Sequence, residues 1–111
     1  SKKNKMDENK FKLTPEEIEK NGGERNLRVV ELPLDDNANE FLEVTVRIPS
    51  RQVMGQYMKF QNANPLKAQE ILVKGCLLTE KDKVLADDAL FLTLVSVLAD
   101  LIPIREGRLK K

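Results

Sequence analysis

Histidine and tryptophan are absent from this 111-residue chain, cysteine occurs once, and aromatic residues make up only 5% of it. Without histidine the chain lacks the commonest general base and the commonest metal ligand. One cysteine cannot staple the chain to itself, which fits a reducing compartment. Neither sign of charge dominates. The 19 basic and 18 acidic residues leave a formal charge of +1, so no global field draws the chain onto nucleic acid or a membrane. Long apolar runs are also missing. The longest uncharged one, Ala89 to Ala99, falls short of the roughly 20 residues needed to cross a bilayer. Ser1 to Lys12 has basic residues but no apolar stretch behind them, unlike a secretory signal. These absences predict a cytoplasmic domain with one modest core, a chain of this size burying about two-thirds of its unfolded surface.

The motifs of catalysis are missing in the same way. There is no glycine-rich phosphate loop, no dinucleotide fingerprint and no nucleophile elbow. Ser50 and Ser96 have no histidine to activate them. Cys76 lies among Val73, Leu77 and Leu78, where a thiol behaves as a small hydrophobe with a raised pKa. Asp35, Asn37 and Asn39 match the first positions of an EF-hand loop. Glu40 then stands where a glycine is needed, and Val46 where a bidentate glutamate is needed. Asp and Asn are ordinary hairpin-loop residues, so calcium is not expected. Asp87 and Asp88 are adjacent and precede an apolar run, the position of a helix cap and not of a carboxylate pair. The expectation is a protein without catalytic residues, cofactor or metal.

Organisation along the chain points to α+β: a short β-hairpin packed on a small, mainly helical C-terminal core. Residues 1–26 hold thirteen charged side chains and four large apolar ones, Met6, Phe11, Leu13 and Ile18. They read as a polar arm, frayed to about Asn9, with one short helix. Thr14-Pro15-Glu16-Glu17 forms a capping box for that helix, and Asn21-Gly22-Gly23 ends it. A single α+β domain follows over residues 27–111. Leu27 to Leu32 is one strand. Leu42, Val44, Val46 and Ile48 alternate with Glu43, Thr45 and Arg47, which predicts a second strand with one wet face. Residues 27–48 are thus a hairpin, its loop Pro33 to Glu40. Ser50 caps a helix over about 50–60, and Asn64-Pro65 starts another over 65–77. Thr79 to Leu85 reads as a connection, with at most one turn capped by Thr79. Asp87 or Asp88 caps a last helix over 88–102, which Pro103 ends.

In that last helix only Thr93, Ser96 and Asp100 are polar beyond its first residue, all on one stripe. A helix apolar on nearly every side is either the core helix or meets a partner. The second reading makes Leu90, Leu94, Leu98 and Leu101 partner-binding candidates. Met54 and Met58 join them, because methionine is flexible and polarisable and suits an adaptable apolar surface. The basic end, Arg105 to Lys111, carries four cations and no aromatic to stack a base, so it reads as a solvated tail and not a nucleic-acid site.

From about Phe41 onward the chain resembles the small tail assembly chaperones of long-tailed phages and prophages. The resemblance lies in a strand ending Arg47-Ile48-Pro49-Ser50, an amphipathic helix to Phe60, "NPLKAQEILVKGCLLTE" over Asn64 to Glu80, "ADDALFL" over Ala86 to Leu92, a final apolar helix and "REGRLKK". It covers about two-thirds of the chain and includes no catalytic motif. It implies a non-enzymatic role: binding the tape-measure protein, keeping its helical segments soluble, and helping tail-tube protein assemble around it. It also implies action in the host cytoplasm and absence from the mature virion. Self-assembly into a homo-oligomer is compatible with it; nucleic acid and membrane are not expected partners. Two other classes remain: a structural or connector subunit of a phage particle, and a small regulatory nucleic-acid binder using Arg105, Arg108, Lys110 and Lys111.

Overall fold

The computed structural model describes residues 10–102 and 107–110. Helix α1 spans Pro15–Lys20, and a single 3-10 turn spans Glu24–Asn26. Strands β1 (Leu27–Pro33) and β2 (Phe41–Arg47) follow. Helices α2 (Arg51–Phe60), α3 (Pro65–Cys76), α4 (Lys81–Ala86) and α5 (Asp88–Asp100) complete the described fold. The architecture is α+β, a two-stranded antiparallel hairpin on a helical core. The fraying expected up to Asn9, and the stop expected at Pro103, lie outside the described residues.

The helix boundaries follow local capping chemistry. The Thr14 hydroxyl accepts from the Glu17 N–H at 3.1 Å, and the Glu17 carboxylate accepts from the Thr14 N–H at 2.9 Å. This reciprocal pair satisfies two of the donors that a helix start leaves free. The same hydrogen bonds hold the Glu17 carboxyl below its ordinary pKa. Gly22 and Gly23, at φ of 90° and 89°, turn the chain away from α1 in the left-handed region that favours glycine. Ser50, Asn64 and Asp87 cap α2, α3 and α5, each accepting a backbone N–H three residues on.

The hairpin pairs Arg28 with Val46, Val30 with Val44 and Leu32 with Leu42 on one face. Leu27 and Arg47, Val29 and Thr45, Glu31 and Glu43, and Pro33 and Phe41 share the other. Val30, Leu32, Val44 and Val46 are buried against Leu72, Val73, Cys76, Leu90, Leu94 and Leu98. α3 lies between α2 and α5, while α5 also meets α4 and β1. Each large side chain buried here is worth about 1.5–3 kcal/mol.

The structure departs from the sequence reading in three places. The outer face of the hairpin is wet along only part of its length. Thr45 is 2% exposed, because Phe11, Leu13 and Leu27 form a second small cluster there with Ile18 and Leu78 at its edge. The polar arm is therefore part of the fold from residue 10 onward. Second, Thr79 caps no helix: its hydroxyl accepts the Thr45 N–H at 2.9 Å. The chain enters α4 through Glu80, held in the left-handed region at φ 55° without a side-chain cap. Third, residues 77–79 follow the free edge of β2. Val46 bridges Leu77, and the Leu78 N–H donates to the Thr45 carbonyl at 2.9 Å. This contact shields the edge from pairing with other chains.

Candidate functional site

α5 uses its apolar residues in three layers. Leu90, Leu94 and Leu98 recur every four residues and are 5%, 0% and 0% exposed. The hairpin and α3 cover them, so they are core residues and are withdrawn as partner-binding candidates. Leu101 is half-buried against the same core. The polar stripe does mark the outward side: Ser96 and Asp100 are exposed, and Leu92 is exposed beside them.

α2 is built the other way round. None of its ten residues is fully buried. Val53 and Tyr57 turn inward and pack on the core. At Gly75 of α3 an added Cβ would come within 2.7 Å of Val53 Cγ2, so a glycine there admits the close approach of α2 to α3. Turning outward, Arg51, Met54, Gly55 and Met58 recur at the spacing of one helix face. With Pro49 they line an open groove of about 380 Å³. Met58 is 61% exposed and Met54 half-buried. Leu66, at the first turn of α3, is 74% exposed. The structure thus brings Met54 and Met58 together in one groove, separate from the leucines of α5.

Arg51 lines this groove, and the segment that carries it is basic. Residues 47–69 hold Arg47, Arg51, Lys59 and Lys67 and no Asp or Glu. Lys67 Nζ lies 4.4 Å from the centre of the Phe60 ring and Lys59 Nζ 5.5 Å from it, so the ring joins the two cations. Arg51 lines the groove and takes part in no ion pair; among the described residues those are Glu70–Lys74 and Glu80–Lys83 alone. Arg51, Gly55, Lys59 and Leu66 were missed in the sequence. The run of 23 residues without an acid is the signal that marks them.

Elsewhere the chemistry is structural. Cys76 is fully buried, and burial pushes its thiol up to about 11. It is therefore protonated and unreactive near neutral pH. The Asp35 carboxylate accepts the Asn39 N–H at 3.0 Å and so closes the hairpin loop. No group of metal-ligating side chains occurs among the described residues, and no helix among them is long and apolar enough to cross a membrane. A larger hollow of about 460 Å³ lies beside Phe11, Leu27 and Val29, with Lys10, Glu24, Arg25 and Arg28 around it. No family model, curated protein or solved structure matches the chain.

Proposed function

We propose that the chain is a non-enzymatic tail assembly chaperone of the phage type, which holds an apolar helical client in the α2 groove. The tape-measure protein is the client, and tail-tube protein the component whose assembly it assists, in the host cytoplasm before the virion is complete. One observation carries the reading: the Met54–Met58 groove is apolar, adaptable and unused by the chain's own core. An amphipathic client helix lays its apolar stripe into such a groove, and methionines accommodate different side chains in succession. The basic segment that carries the groove favours acidic residues flanking that stripe.

The test is co-expression with the tape-measure protein, followed by recovery of the soluble complex. Wild-type chain should retain the client. Met58→Asp should fold normally yet hold it about ten- to a hundredfold more weakly, one buried apolar side chain being worth about 1.5–3 kcal/mol. Undiminished retention by a folded Met58→Asp chain refutes the groove. A wild-type chain that never retains the client refutes the function.

A further inference from the structure

The outer face of the hairpin is the counterpart of α2. The cover supplied by Phe11 and Leu13 ends at the Val29–Thr45 rung. Beyond it, Val29 is 38% and Phe41 45% exposed, with Glu31 and Glu43 directly opposite each other between them. Like charges directly opposite in a sheet are destabilising, and neither glutamate forms an ion pair among the described residues. Residues 29–46 contain five acids, Glu31, Asp35, Asp36, Glu40 and Glu43, and no base. The 23 residues that follow contain four bases and no acid. The chain therefore carries two apolar strips, one centred on the Glu31–Glu43 pair with Lys10, Arg25 and Arg28 near its Val29 end, the other flanked by Arg51 and Lys59. No ion pair among the described residues joins them.

We propose that copies of this chain associate through these two strips, α2 of one copy lying on the outer hairpin face of the next. Met54 and Met58 cover Phe41 and Val29, the contact gaining from sulfur against an aromatic ring. Arg51 and Lys59 meet Glu31 and Glu43. The lengths agree. Four strand steps from Val29 to Pro33 span about 13 Å, and Arg51 to Lys59 about 12 Å of helix. Gly55 fits the same arrangement. A Cβ added there would meet nothing within 4 Å, so the folded chain itself does not need the glycine. Its missing side chain lets the opposing strand approach the helix closely. The two strips are different surfaces, so the contact is heterologous and repeats from copy to copy until the rotation closes it.

The next copy's hairpin takes the same α2 groove proposed for the client, so the two exclude each other on any one copy. The experiment uses the chain alone, so its result is independent of any client. Sedimentation velocity of the wild type should show mass rising with concentration and falling as salt screens the charged residues. Glu43→Lys should weaken association at least tenfold while leaving the melting temperature unchanged or higher, since it places a cation opposite Glu31. Arg51→Glu combined with Lys59→Glu should weaken it as much. Mixing the two variants should restore a dimer, through the intact helix of one and the intact hairpin of the other. A wild type that stays monomeric at every concentration overturns the proposal. So does a Glu43→Lys chain that assembles like the wild type, or a mixture that stays monomeric.

Discussion

α5 is apolar on nearly every side and α2 on barely half, yet α2 is the helix whose groove methionines face water. The difference lies in their neighbours. α5 meets β1, α3 and α4, and its Leu90, Leu94 and Leu98 are fully taken up by that packing. α2 leans on α3 alone among the major contacts, so one face is enough for packing and the opposite face is left over. Apolar content therefore measures how deeply a helix is embedded. The surface available to a partner is set by how many sides lack a neighbour.

Leu94 and Met58 give the widest separation between the two helices. Leu94→Ala should lower unfolding free energy by about 2–5 kcal/mol, because it opens a cavity at a fully buried site. Met58→Ala should change it by less than about 0.5 kcal/mol, as expected of an exposed side chain. Urea denaturation of both variants decides the matter, and equal losses would show that the two helices are embedded alike.

The two mid-helix glycines sharpen it further, with effects of opposite sign from one substitution. Gly75→Ala should destabilise by about 1–3 kcal/mol, because its new methyl drives into Val53 across the α2–α3 contact. Gly55→Ala should stabilise the monomer by up to about 1 kcal/mol, since it improves helix propensity and meets nothing. The denaturation midpoints should move in opposite directions.

A smaller effect comes from Cys76, on the embedded side of the comparison. Burial raises its pKa from an ordinary 9.0 to about 11 in the folded chain. The folded state holds the proton more tightly than the unfolded one, so this contribution is fully present below pH 9. It is lost as the pH rises from about 9 towards 11. A Cys76→Ala chain should lack that part of the alkaline decline. Melting temperatures of the two chains followed from neutral to alkaline pH should therefore converge; parallel curves would show that the thiol is not desolvated.

The sequence disclosed what is local. Thr14, Ser50, Asn64 and Asp87 were legible as caps, because capping joins a side chain to a backbone group three residues away. The alternation of β2 was legible for the same reason. What failed to show was occupancy by distant segments. Leu90, Leu94 and Leu98 looked equally suited to a core or a partner, and only the placement of the hairpin and α3 decides. Thr45 alternates as a solvent-facing residue should, yet Phe11 reaches it from 34 positions upstream and Thr79 from 34 downstream. The Met54–Met58 pair was visible in the candidate site. The basic segment around it and Gly55 were not, because they acquire meaning only once α2 is seen to have a bare side.

The hydroxyl of Thr45, which donates to the Phe11 carbonyl at 2.7 Å, has a consequence for the length of the exposed strip. The segment from Lys10 to Leu13 acts as a sleeve drawn partway along the hairpin, and this bond fixes where the sleeve stops. Removing residues 1–13 would leave the Thr45 hydroxyl without its acceptor and bare the side chain of Leu27. The exposed strip would then run from Leu27 instead of Val29, longer by about 7 Å at two strand steps. A trimmed chain should grip a helical partner less selectively and stick to itself more readily, which light scattering of the intact and trimmed chains would register directly.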